Sequence, residues 1–296
     1  MKDTRFSGVG VALVTPFTTD DKVDYAALER MVEHVIRGGV DYIVALGSTA
    51  EAATLRADER REVLRFIVER NAGRLPLVAG VGGNFTRGVV EQLGEMCFDG
   101  IDAILSVVPF YNKPSQEGLY RHFSAIAEAS PCPVILYNVP GRTGTNMTAA
   151  TTLRIARDNG NVIGIKEASG NIGQMQEIID GRREDFLVIS GDDALTVELV
   201  RRGGDGVISV AANVFTERFT DCIGRAMQGR FDEADKAFET LREACEALFA
   251  EGNPTGVKCA LSVAGLTADK VRLPLVEGSG ELRERMAKLM AEYDLR

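Results

Sequence analysis

One lysine at the end of a short apolar run gives the first suggestion of chemistry. The run VIGIKEASG places Lys166 directly after Val162–Ile165, a stretch that reads as a buried strand. A charged lysine is costly inside a protein, so burial favours the neutral amine. A neutral amine attacks a carbonyl carbon and forms a Schiff base. Gly164, two residues earlier on the same face, leaves space beside it. Taken alone, Lys166 reads equally well as a lysine that snorkels out at the rim of its fold.

Other residues at the ends of apolar runs offer partners. Tyr137 closes VILY, and its phenol is suited to passing protons to and from a reacting carbon and a carbinolamine oxygen. The ordinary phenol pKa is about 10, so such a role needs hydrogen-bonded help near neutral pH. Arg142, five residues on in a glycine-flanked loop, presents a rigid fork for a carboxylate. In LGSTAE, Ser48 and Thr49 put two hydroxyls and several backbone N–H groups at a strand-to-helix turn, which can hold an anionic group. Tyr111 lies in a loop with proline on both sides, and Ile208 sits near the end of GVISVAANV. Each has a plain structural alternative: a core aromatic, a solvated loop charge, a capping turn, a packed loop residue, a core isoleucine.

Elements must bring these residues together. Eight short apolar runs alternate with amphipathic ones: Gly10–Thr15, Tyr42–Leu46, Leu77–Gly80, Ala103–Ser106, Val134–Tyr137, Val162–Lys166, Phe186–Ser190 and Gly206–Val210. Near-continuous apolar runs are the mark of parallel strands buried on both faces. Helix patterns lie between them, beginning with Tyr25–Arg37 and with Asp58–Glu69, where Asp58 suits an N-cap. Eight such units predict a (β/α)8 TIM barrel over 1–225, with the chemistry at the strand C-termini. An open doubly wound sheet is the alternative. After about residue 225 the strand signal stops. Phe231–Phe249, Thr255–Ala264 and Glu281–Tyr293 read as helices of a small C-terminal helical domain over 226–296.

Composition narrows the partners. A chain of 296 residues suits one barrel of roughly 250 residues and an added piece. A net charge of −9 argues against nucleic acid or an anionic membrane as partner, while a small acidic substrate needs only one local cation. Two histidines, His34 and His122, in separate helix-like contexts, give a zinc site or a serine triad little material. Five cysteines without CxxC spacing read as buried thiols in a reducing compartment. No apolar run reaches the roughly 20 residues of a membrane span, so the expectation is a cytoplasmic protein.

Taken together, these motifs resemble a known set. GVALVTPF at 10–17, LGSTAE at 46–51, PFYNKPSQEGLY at 109–120, LYNVPGRTG at 136–144, GIKEASG at 164–170, SGDD at 190–193 and GVISVAANV at 206–214 resemble, in this order, the dihydrodipicolinate synthase family. That family belongs to the pyruvate-dependent aldolase superfamily, which includes N-acetylneuraminate lyase. The resemblance runs from about Gly8 to about Pro274. It implies that Lys166 forms a Schiff base with pyruvate and that Tyr137 is the proton donor and acceptor. Ser48 and Tyr111 complete a hydroxyl relay, with Tyr111 reaching in from a neighbouring subunit. Thr49 and the Ile208 backbone contact pyruvate, and Arg142 holds the carboxylate of aspartate semialdehyde. It also implies an enzyme of lysine and diaminopimelate biosynthesis, with no metal or organic cofactor. The homo-oligomer it implies is at least a dimer, usually within a tetramer.

Departures from the family pattern carry their own expectations. Ser48 stands where the family has Thr, so the hydroxyl stays but the β-branch is lost. Ala50 stands where the family has Gly, which implies a φ that Ala can adopt. At the lysine-binding pocket of feedback-inhibited relatives the chain keeps Asn84 but has Phe110, Ala57, Arg60 and Gly88 at the phenol, histidine and acidic positions. Weak or absent inhibition by lysine follows. Two other readings remain: another pyruvate aldolase acting on a sugar acid, against which Arg142 argues, and a catalytically inert barrel used for binding.

Overall fold

A computed structural model describes residues 2–294. Eight parallel strands close into a barrel in chain order: β1 (Gly8–Ala12), β2 (Tyr42–Ala45), β3 (Leu77–Gly80), β4 (Ala103–Val107), β5 (Val134–Asn138), β6 (Val162–Glu167), β7 (Leu187–Ser190) and β8 (Gly206–Ser209). β1 pairs with both β2 and β8, so neither edge is left open and the doubly wound sheet is excluded. The strands are almost continuously buried, which is why they read as apolar runs.

The helices α1 (Tyr25–Arg37), α2 (Ala57–Asn71), α3 (Thr86–Glu95), α4 (Gln116–Ala129), α5 (Pro140–Thr143), α6 (Ala149–Asp158), α7 (Ile172–Gly181), α8 (Thr196–Arg201) and α9 (Thr216–Met227) lie between and after the strands. Several start where local chemistry dictates: the side chains of Asp24, Ser115 and Thr148 accept the N–H of Ala27, Gly118 and Thr151. The start of α2 departs from expectation. Arg56, not Asp58, is its N-cap, and Glu59 reaches back to the Arg56 N–H at 2.9 Å. Glu59 is itself held by Arg272 at 2.7 Å, a contact from 213 positions away that fixes the helix entry.

The tail forms α10 (Phe231–Glu239), α11 (Arg242–Ala247), α12 (Thr255–Val263) and α13 (Gly280–Glu292). The single helix expected over 231–249 is broken at Thr240-Leu241, because α10 packs on α9 whereas α11 packs on α13. Two apolar layers result. An outer one joins helices to the barrel wall, and an inner one fills the barrel with Phe6, Tyr42, Val44, Leu105, Ile135 and Ile189 among others. Phe6 meets the Tyr42 ring edge-on at 5.7 Å within this inner layer. The cysteines divide differently from expectation: Cys222, Cys245 and Cys259 are buried, Cys132 is half-buried and Cys97 is exposed. No helix among the described residues is long and apolar enough to cross a membrane.

Candidate active site

β5 and β6 pair with Tyr137 opposite Lys166 and Asn138 opposite Glu167. Side chains alternate across a strand, so the two pairs face opposite sides of the barrel wall. Tyr137 points inward, 7% exposed, within the inner apolar layer. Lys166 is 6% exposed, and its Nζ lies 4.6 Å from the centre of the Tyr137 ring. The other deeply buried lysine, Lys258, has the carboxylate of Glu51 as partner; among the described residues Lys166 has none. On the outer side, the buried Glu167 carboxylate accepts from Asn138 Nδ2 and Gln174 Nε2, each at 2.9 Å, and from the Ser169 N–H at 2.7 Å. The Asn138–Glu167 bond fastens the two strands at the position next to the inward pair.

Room for the Lys166 side chain comes from a different glycine than expected. A Cβ on Gly164 would lie 2.8 Å from Leu187 Cβ, so β7 already fills that space and Gly164 serves close strand approach. A Cβ on Gly191 would lie 3.1 Å from Lys166 Cε and 2.5 Å from Ala168 Cβ. Gly191, after β7 in SGDD, is the residue that keeps the amine's flank clear.

Ser48, Thr49 and Ala50 form a single 3-10 turn after β2. Ser48 Oγ is 3.5 Å from the Tyr137 hydroxyl, at the long limit of a hydrogen bond. Ala50 sits in right-handed backbone, as its side chain requires, and the left-handed position falls on Glu51, with φ 54°. Thr49 is buried and its hydroxyl oxygen accepts from Asn253 Nδ2 at 3.0 Å. Arg142 lies not in an open loop but in the four-residue α5, which starts with Pro140 and ends at Gly144, with φ 71°. Its exposed guanidinium donates to the Asn253 carbonyl at 3.0 Å. Asn253 thus touches both Thr49 and Arg142, a link between chain segments over 100 positions apart that no local pattern announces.

Ile208 is buried on β8 in register with Gly10. Asp193 supports the end of that strand: its Oδ2 accepts the N–H of Val210 at 3.2 Å and of Ala211 at 2.9 Å. Burial pushes the Asp193 carboxyl up to about 6, against the pull of the Ser209 hydroxyl and these N–H groups. Tyr111 is the expected residue that the fold of one chain does not bring in. It is 88% exposed, with φ 71°, and is held through its backbone N–H to the Thr143 carbonyl at 3.3 Å.

Ser48, Tyr137 and Arg142 line a cavity of about 370 Å³. A larger one, about 730 Å³, opens between α2 and α3 and carries none of the expected site residues. Arg60 lies on the wall of both cavities and has no carboxylate partner among the described residues.

A buried amine facing a phenol on the neighbouring strand, at the C-terminal mouth of a closed (β/α)8 barrel, is the arrangement of lyases that work through a lysine imine. More narrowly, the chain belongs to the dihydrodipicolinate synthetase family, whose model matches residues 5–293. It is 49% identical over 296 residues to the 4-hydroxy-tetrahydrodipicolinate synthase of Parabacteroides distasonis, covering 100% of both chains. The crystal structure of dihydrodipicolinate synthase from Thermotoga maritima superposes with a TM-score of 0.96 at 38% identity, covering 99% of this chain and 100% of that one. The chloride-inhibited enzyme from Acinetobacter baumannii complexed with pyruvate gives 0.95 at 39% identity, covering 98% and 99%.

Proposed function

We propose that the protein condenses pyruvate with L-aspartate 4-semialdehyde to give 4-hydroxy-tetrahydrodipicolinate, a lyase step of lysine and diaminopimelate biosynthesis. The observation that carries this reading is the in-register pairing of Tyr137 with Lys166 inside the barrel mouth, in a chain of this family. The Lys166 amine attacks the pyruvate ketone and water leaves, giving an imine. Loss of a methyl proton gives the enamine, whose carbon attacks the aldehyde of the second substrate. The amino group of that substrate then adds to the imine carbon, closes the ring and releases Lys166.

Tyr137 shuttles the protons of these steps, with Ser48 beside it and Tyr111 of a neighbouring subunit completing the relay. Thr49 and the Ile208 backbone hold pyruvate, and Arg142 holds the semialdehyde carboxylate. The 88% exposure of Tyr111 in one chain is what a residue meant for a neighbour's site would show, which supports a working unit of at least a dimer; the tetramer is what the family resemblance implies. The active protein is read as a cytoplasmic enzyme, with its barrel in 1–225 and a helical domain in 226–296.

Borohydride reduction in the presence of pyruvate, followed by mass spectrometry, tests the first step. The expected result is one adduct on Lys166 together with turnover of aspartate semialdehyde. Absence of an adduct supports the inert barrel. An adduct with turnover only on sugar acids supports another pyruvate aldolase.

A further inference from the structure

The turn that carries Ser48 and Thr49 ends in an unusual way. Glu51 adopts the left-handed conformation, φ 54° and ψ 36°, which suits Gly or Asn and is strained for a residue with a Cβ. Such a conformation persists only where surrounding contacts over-determine it. Here both oxygens of a 3%-exposed carboxylate are occupied. Oε1 takes the Lys258 ammonium at 2.5 Å, and Oε2 takes the Arg272 N–H at 2.9 Å.

Lys258 comes from α12 and is fully buried. Its Nζ also donates to the Lys270 carbonyl at 2.9 Å and lies 4.1 Å from the centre of the Phe17 ring. The Arg272 guanidinium lies 4.3 Å from the same ring. Asn253, two residues before α12 begins, bonds Thr49 itself. The C-terminal helices therefore grip the turn at two points, one on each side of Ala50.

Stability alone is a weak reason for this arrangement. Desolvating two charges roughly offsets their attraction, and apolar replacements of buried pairs are often neutral or stabilising. What an ion pair supplies that apolar packing does not is a directional, fixed-length tie. We propose that Glu51 and Lys258 are positioning residues for the reaction: their buried ion pair, anchored on the C-terminal helices, fixes the left-handed turn that aims the Ser48 hydroxyl at the Tyr137 phenol and sets Thr49 in the site. This rests on the reading of Ser48 and Tyr137 as a proton relay. A 3.5 Å separation leaves that relay little slack, since any further displacement breaks the bond.

The test uses the full-length protein and the variants Glu51→Gln, Glu51→Asp and the double variant Glu51→Gln/Lys258→Met. Glu51→Asp keeps both charges and shortens the tie by one methylene. The double variant removes both charges, so no lone charge is left buried. In variants with the parent's near-ultraviolet circular dichroism and oligomeric state, kcat is expected to fall by roughly 10- to 100-fold, the scale of a 1 Å misplacement. KM for pyruvate should rise, and borohydride trapping should still label Lys166, because the amine itself is untouched. The loss should persist in the double variant even where Tm returns to the parent's value. A folded Glu51→Asp or double variant with the parent's kcat and KM, whatever its Tm, overturns the proposal. Failure of the parent itself to turn over aspartate semialdehyde would instead sink the functional reading, which separates the two failures.

Discussion

Tyr137 and Lys166 are cross-strand partners on β5 and β6, with the lysine nitrogen 4.6 Å from the centre of the tyrosine ring. One residue further along each strand, Asn138 and Glu167 are bonded to each other on the opposite face at 2.9 Å. A slip of one strand by a single residue would turn its Tyr137 or Lys166 side chain out of the barrel. The outer bond opposes that slip directly. The inner pair can therefore hold its geometry without a hydrogen bond of its own between phenol and amine.

The first prediction concerns the phenol. Tyr137→Phe keeps the ring against Lys166 and deletes only the hydroxyl. The imine with pyruvate should still be trapped, while kcat falls by roughly 10²–10⁴-fold, the usual worth of general acid–base catalysis. Steady-state condensation assays compared with adduct yield would reveal the split. Equal loss of both would mean that the hydroxyl is needed before carbon–carbon bond formation.

In the proposed relay, Ser48 is the adjustable member. Its hydroxyl stands at 3.5 Å from that of Tyr137, and Ser has no β-branch to hold χ1. Ser48→Thr should match or raise kcat, whereas Ser48→Ala should lower it by at least about tenfold. A fully active Ser48→Ala would remove Ser48 from the mechanism.

Lysine should inhibit weakly or not at all. Gly88 supplies no carboxylate, Phe110 no hydroxyl, and Arg60, without a carboxylate partner among the described residues, adds positive charge on the walls of both cavities. A dose–response curve read through the condensation assay decides it, and strong inhibition at sub-millimolar lysine would contradict the charge argument.

Asp193 gives a pH-dependent signature. Its carboxyl is raised to about 6 in the folded protein, so the folded state holds this proton more tightly than the unfolded chain does. The group's favourable contribution is complete below the unfolded pKa of about 4 and is lost as pH rises through about 6. Asp193→Asn abolishes that titration. Relative to the parent, the variant should gain on the order of 2–3 kcal/mol between about pH 4 and about pH 7. Urea unfolding at both pH values provides the comparison, and a pH-independent difference would refute the assignment.

Thiol reactivity should follow exposure. Cys97 is exposed, whereas burial pushes the Cys222 thiol up to about 12 and the Cys245 thiol well above its ordinary range. Since the thiolate is the reactive form, iodoacetamide under native conditions should label Cys97 first and half-buried Cys132 more slowly. Cys222 and Cys245 should react only after unfolding, as peptide mapping would show.

The sequence alone determined the barrel and which residues stand at the strand C-termini. Parallel strands buried on both faces must be apolar throughout, and helices against them must be amphipathic, so the eight-fold rhythm is written locally. Tyr25–Arg37 was legible to the residue because its apolar residues keep helical spacing and Asp24 and Gly38 flank it. Lys166 and Tyr137 were legible because each ends such a run. Only the tertiary structure decided what depends on contacts across the chain. The supposed space at Gly164 is filled by β7, and the useful space lies at Gly191. The cap of α2 fell on Arg56 rather than Asp58, with Glu59 held by Arg272, and the predicted 231–249 helix broke to pack on two different partners. The tie between Lys258 and Glu51 spans 207 positions, and that between Asn253 and Thr49 spans 204. Side-chain periodicity reports which face is buried; it carries no information about which distant residue will arrive to meet it.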